Sequence, residues 1–185
     1  MSNLTSFGNE NVRGTIDEYN EAFKNGDLSG EENKAKCEEF VRNYYDVATD
    51  FFEYGWGPSF HFAPQHKKET FREAILRHEH YLALKLGLKE GMTVLDTGCG
   101  IGGPAVNIAR FSGANIVGLN INKYQIAKGV LLAATNKISD RVSFLEGSFL
   151  DIPSEDNSYD AVYSIEATCH AADQNKCYSE IFRVL

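Results

Sequence analysis

Three stretches of this chain combine residues that could do chemistry. In the first, Asp96-Thr97-Gly98-Cys99-Gly100-Ile101-Gly102-Gly103, a carboxylate stands two residues ahead of a GxGxxG run. Glycines at that spacing let a backbone turn tightly and approach a ligand, and the helix that follows offers unpaired N–H groups. The second is Phe52-Glu53-Tyr54-Gly55-Trp56-Gly57-Pro58-Ser59-Phe60-His61-Phe62, which sets aromatics, an acid and a histidine on a backbone made pliable by glycine. It reads either as a satellite hydrophobic cluster or as the wall of a pocket for a bulky apolar substrate, its ring faces steadying a developing cation. The third is Ile165-Glu166-Ala167-Thr168-Cys169-His170. Adjacency there does not make a Cys–His dyad, because neighbours on an extended chain point to opposite faces.

The glycine run admits several ligands. A dinucleotide site wants an acid about 20 residues on, for a ribose hydroxyl. That position reads Gly118-Leu119-Asn120-Ile121-Asn122, without a carboxylate, although asparagine can also bond ribose. No GK[ST] closes the run, so an ATP P-loop fails. Asp96 would repel a pyrophosphate yet suits a ligand carrying an ammonium and a sulfonium, and S-adenosylmethionine is such a ligand. The remaining reading is a helix packed tightly on a strand, with no ligand.

The surrounding pattern says what must position these residues. Cys37, Phe40, Val41, Tyr44, Tyr45, Ala48, Phe51 and Phe52 keep helical spacing from about Lys34 to Tyr54, and Gly55, Gly57 and Pro58 are expected to break it into a loop. A short helix is expected over 15–25, after a polar arm at 1–13, and a second long one over 69–86. Strands are expected at 93–96, 115–119, 141–145 and 159–165, with helices at 104–111, 123–135 and 175–185. Strands alternating with helices imply an α/β, doubly wound parallel sheet. The carboxyl ends of its first and fourth strands flank the crevice where ligands bind, which brings Asp96, the glycine loop and Glu166 to His170 together.

Composition bounds the classes. The chain has 185 residues and a net charge of −8, with 43% apolar and 24% charged residues, which suits a globular protein. An acidic balance argues against nucleic acid as a partner. No stretch approaches the roughly 20 apolar residues of a transmembrane helix, and the start lacks a secretory core. Cys37, Cys99, Cys169 and Cys177 form no CxxC pair and are expected to be reduced thiols, and His78-Glu79-His80 lacks the HExxH spacing, so no metal site is expected. Nine of the 22 aromatics lie between Phe40 and Phe62, and eight of the 16 glycines between Gly87 and Gly118. Residues 1–62 therefore read as a helical and aromatic segment, and 63–185 as a nucleotide-type domain.

YDVATDFFEYGWGPSFHF, ETFREAILRHEHYLAL, VLDTGCGIGGPAVNIARFSGANIVGLNIN and YSIEATCHA, in that order, closely resemble the sterol 24-C-methyltransferases over about residues 44–185. The resemblance implies a class I methyltransferase, Rossmann-like fold and transfer of the S-adenosylmethionine methyl group to carbon 24 of a sterol side-chain alkene, in sterol biosynthesis. The implied reaction leaves a tertiary carbocation and ends in a hydride shift and proton loss. It needs positioning, a dry aromatic wall and one base, and no metal. By matching motif, Asp96, Gly98, Cys99, Gly100, Gly102, Asn120, Asn122, Ser148 and Phe149 are carried over as cofactor-binding. Tyr54, Trp56, Phe60, His61, Phe62 and His170 become sterol-facing, and Glu53, Glu79, Glu166, Tyr54 and His61 candidates for catalysis. A sterol substrate implies contact with a membrane surface, on the cytoplasmic side of the endoplasmic reticulum; a homo-oligomer is compatible with this. The alternatives are methylation of another lipid or small molecule, or an inactive paralogue.

The chain departs from the family pattern at Thr97 for valine, at Asn120-Ile121-Asn122 for NNN, and at Ala171-Ala172 for Ala-Pro. Ser148 stands where the family has an aspartate toward the adenine amino group, which predicts weaker cofactor affinity. The stripe Tyr178, Ile181, Phe182 and Leu185 ends in mid-pattern. By resemblance the chain is thus expected to be C-terminally truncated, with four of seven strands in the order 3-2-1-4 and an exposed edge at the fourth.

Overall fold

The computed structural model describes residue 14 and residues 31–185. The arm expected over 1–13 and the helix expected over 15–25 lie outside the described residues. β1 (Thr93–Thr97), β2 (Asn115–Asn120), β3 (Val142–Glu146) and β4 (Ala161–Tyr163) form one parallel sheet, as the sequence pattern predicts, in the order β3-β2-β1-β4 that the family resemblance implies. α1 (Glu31–Trp56) and α2 (Phe71–Lys85) precede the sheet. α3 (Gly103–Ser112) and α4 (Lys123–Thr135) make the crossovers into β2 and β3, and α5 (Gln174–Val184) follows β4.

Strand alternation divides the side chains between two cores. Val94, Ile116 and Val142 pack with Ile108 and Ala109 of α3 and Ala133 of α4. Leu95 and Leu119 face the other way, against Ile152, Tyr159 and Val184 of α5. Full burial of a Val or Leu side chain is worth about 1.5–3 kcal/mol, so the central pair β1 and β2 anchors the sheet. The helix starts follow their capping residues: Thr70 and Glu73 form a capping box on α2, Asn122 caps α4 and Asp173 caps α5. Pro104 sits in the first turn of α3, where its missing N–H costs nothing.

Two elements differ from the sequence pattern. β4 is shorter than 159–165 because the Tyr159 N–H turns to the Val184 carbonyl of α5, while the Ser164 hydroxyl donates to the Thr97 carbonyl. α1 is longer than expected. It runs through Gly55 and stops at Gly57, whose N–H closes on the Glu53 carbonyl with φ 80°. Trp56 therefore lies on the helix with Glu53 and Tyr54 rather than in a loop, and the three side chains point in different directions.

Candidate functional site

The site is built on the carboxyl ends of the strands. Asp96 is 2% exposed, and its neighbour across the β1–β4 register, Tyr163, donates its hydroxyl to Asp96 Oδ2 at 3.0 Å. Burial pushes the Asp96 carboxyl up to about 7; the Tyr163 hydrogen bond pulls it back, the Glu79 charge adds to the rise and His61 offsets it. A cation placed beside it would hold it ionised. Burial also pushes up the Cys99 thiol, so this cysteine is a wall and not a nucleophile. Thr97, where valine was expected, donates its hydroxyl to the Tyr163 carbonyl at 3.1 Å and ties β1 to β4.

The glycine loop is folded against its surroundings by specific bonds. Gly98 and Cys99 donate their N–H groups to the Leu119 carbonyl at 2.9 and 3.1 Å. Asn120 Nδ2 donates to the Gly100 carbonyl at 3.1 Å and to Gln125 Oε1 at 2.8 Å. Gly98 has φ 80°, and a Cβ on it would stand 2.2 Å from that of Ala167, so only glycine lets the loop meet the chain leaving β4. A Cβ on Gly103 would stand 2.2 Å from the Pro58 carbonyl oxygen, which accepts the Gly103 N–H at 3.2 Å. The aromatic segment is thereby docked onto the start of α3.

Behind that dock lies a buried network. His61 Nε2 donates to Glu79 Oε1 at 3.1 Å and Nδ1 donates to the Phe62 carbonyl at 3.0 Å. Both ring nitrogens face acceptors, an arrangement that favours the imidazolium over the neutral ring. Burial pulls its pKa down, but the hydrogen bonds to Glu79 and Phe62 and the charges of Glu79 and Glu166 outweigh that, and the pKa is raised. Glu79 also accepts from Ser59 and from Asn107, both at 2.7 Å, so each of its oxygens is occupied.

A cavity opens over Asp96, Gly98, Cys99 and Gly100. Its floor continues to Asn120 and Asn122 on one side and to Glu166 and His170 on the other. Ser148 and Phe149 close the β3 end, and Phe60 with His61 belongs to the wall. Sequence reasoning missed the opposite wall, which is a face of α1 made of Cys37, Glu38, Val41 and Tyr45. The helical spacing of Cys37, Val41 and Tyr45 was the available signal; it marked an apolar stripe without saying that the stripe faces a ligand site. Tyr163 was also missed, although its register with Asp96 follows from the strand pattern.

Other carried-over residues lie elsewhere. Glu53 pairs with Lys128 of α4, outside the cavity. Gly102 is not in the lining, and its missing side chain makes room for the Phe144 ring. Tyr54 is 96% exposed, while Trp56 and Phe62 are exposed but joined to the cavity by rings in contact. Phe60 meets Phe52 at 5.7 Å between centroids, Phe52 meets Trp56 at 5.7 Å, and Trp56 meets Phe62 at 5.8 Å. On the inner side the Tyr45 hydroxyl lies 3.2 Å from His170 Nε2, and burial lowers the His170 pKa. Asn122 lines the cavity with its amide committed to the Arg42 carbonyl at 3.1 Å and Asp46 Oδ1 at 2.8 Å, which holds α1 in place. Cys169 is exposed in a 3-10 turn and bonds the Glu166 carbonyl, apart from His170's contact with Tyr45. Glu166 has φ 54°, an uncommon conformation for a side-chain-bearing residue, and its Oε1 accepts the Phe62 N–H at 2.9 Å. Among the described residues no three metal-ligating side chains gather, and no helix is long and apolar enough to cross a membrane.

Residues 88–185 match the family described as a methyltransferase domain. The chain is 51% identical over 176 residues to cycloartenol-C-24-methyltransferase 1 of Oryza sativa subsp. japonica, covering 95% of this chain and 51% of that protein. It is 56% identical over 145 residues to the sterol 24-C-methyltransferase of Yarrowia lipolytica, covering 78% of this chain and 38% of that one. The chain thus spans about half or less of the length of these curated relatives. Among solved structures, geranyl diphosphate C-methyltransferase from Streptomyces coelicolor, in complex with S-adenosyl-L-homocysteine, has the same fold. Its TM-score is 0.69 at 22% identity, over 80% of this chain and 62% of that one.

Proposed function

This chain belongs to the methyltransferase-domain family, and from that premise we propose that it forms the S-adenosylmethionine-binding part of an enzyme that methylates carbon 24 of a sterol side chain. One observation carries the cofactor reading: Glu38, Asp96 and Glu166 line the cavity, and no Lys or Arg lies among the described lining residues. Such a wall opposes a pyrophosphate and favours a ligand bearing ammonium and sulfonium charges. The glycine cradle fits the same group, since Gly98 and Gly100 leave the floor free of side chains. When bound, the cofactor supplies an electrophilic methyl group. The sterol reading rests on the relatives at about half identity and on the run of rings from Tyr45 and Phe60 to Trp56 and Phe62.

In this reading Asp96 binds the cofactor's ammonium, while Phe60, Tyr45 and their neighbours exclude water and face the developing cation with ring surfaces. His61 and Glu79 hold the aromatic segment against α3. Of the three candidate acids, Glu166 alone lines the cavity, so the departing proton goes to its carboxylate. The exposed rings of Tyr54, Trp56 and Phe62 meet the membrane surface from which a sterol is drawn. The test is transfer of labelled methyl from S-adenosylmethionine to a sterol with an unsaturated side chain, beside phospholipid and quinol acceptors. Label in the sterol alone, abolished or cut about 100-fold or more by Glu166→Gln with cofactor binding intact, is the expected result. Label in either other acceptor rejects the sterol assignment.

A further inference from the structure

Resting on the reading that the cavity binds S-adenosylmethionine, we propose that Glu38 of α1 reads the amino edge of the adenine, with Ser148 as its positioning residue. Ser148 Oγ accepts the Leu150 N–H at 3.0 Å, so its single O–H is free to donate, and it donates to Glu38 Oε1. That bond fixes one oxygen of the carboxylate on the cavity wall. The other, Oε2, has no partner among the described residues. Around it the lining is apolar, with Cys37 and Val41 on the same face of α1 and Leu150 beyond Ser148, each 9% exposed or less. A carboxylate projecting from an apolar slot suits a flat heteroaromatic ring with an N–H donor on its edge.

The sheet order puts this slot at the correct end. Ser148 follows β3 and Asp96 ends β1, with β2 between them, so the two strand ends lie roughly 10 Å apart, two strand spacings. The ammonium end of an elongated nucleoside is held at Asp96, which leaves its base over the β3 end. An ionised carboxylate has acceptors and no donors. It therefore favours a base that presents an amine at that edge over one that presents a carbonyl.

The consequence for Ser148 runs against the expectation drawn from sequence. The carboxylate absent at position 148 is supplied by α1, and Ser148→Asp would set two carboxylates against each other.

Calorimetric titration with S-adenosyl-L-homocysteine and with its inosine counterpart, in which a carbonyl replaces the amine, tests this. The unmodified chain should prefer the adenosine compound by about 10- to 100-fold. Glu38→Gln is nearly isosteric and can turn its own amine to the carbonyl, so it should shrink that preference to a few-fold while the melting temperature holds. Ser148→Ala should shrink it less. Ser148→Asp should weaken adenosine binding, and Ser148→Asp combined with Glu38→Ala should recover it. A preference that survives Glu38→Gln overturns the assignment and leaves the cofactor reading standing. No binding of either compound by the unmodified chain overturns both.

Discussion

A carboxyl pushed up to about 7, as that of Asp96 is, gains or sheds its proton in the physiological range. A cationic ligand requires the ionised form, so binding must expel a proton at any pH below that value. Calorimetry should show affinity for S-adenosyl-L-homocysteine falling below pH 7, approaching roughly tenfold per unit, with proton release measurable in buffers of different ionisation enthalpy. Tyr163→Phe removes the hydroxyl that favours the ionised carboxylate and should move the midpoint of that fall to higher pH. Glu79 makes a different prediction. It is fully buried and balances the His61 imidazolium, so Glu79→Gln strands a buried charge and should cost about 3–5 kcal/mol in urea unfolding. His61→Phe combined with Glu79→Gln should cost less than Glu79→Gln alone, because no charge is left behind.

At the scale of elements, the junction of Pro58 with Gly103 decides whether the aromatic segment stays on the sheet. Gly103→Ala forces a Cβ against a backbone oxygen. The expected loss is about 1–3 kcal/mol, with faster amide exchange at Phe62, whose N–H otherwise bonds Glu166. Unchanged exchange there would mean that the segment is held elsewhere. The four strands and their parallel, doubly wound arrangement were legible because alternating periods and a glycine-led turn leave few topologies, whereas their order came from the family resemblance. The end of α1 was not legible, since Gly55 looks like a breaker in sequence and is tolerated in the helix at a cost of about 1 kcal/mol. Nor was the role of Glu38: one acid beside an apolar stripe looks like a solvated flank until the fold lays that stripe across the strand ends. Asp96 was readable because its position before the loop already fixes where it lies.

For the whole molecule, the titrating groups pull in opposite directions. Asp96 has a raised pKa, so its favourable contribution is complete below about 4 and is lost as pH climbs to about 7. His61, also raised, loses its contribution as pH rises above 6.5 through its folded value. Glu69 and Glu180, held at about 2 by Arg77 and Arg183, contribute above about 4.5 and lose that as pH falls. Thermal unfolding between pH 3 and 9 should therefore peak at about pH 5, and Asp96→Asn should flatten the decline from 4 to 7 while keeping the Tyr163 bond. The three carboxylates in the cavity wall, Glu38, Asp96 and Glu166, also bear on turnover. Carboxylates in the wall hold a guest bearing both ammonium and sulfonium more firmly than the same guest with its sulfonium discharged to a thioether. In the proposed chemistry the wall thus drives its own resetting, because each transferred methyl loosens the spent ligand and leaves fresh, more highly charged ligand the stronger competitor.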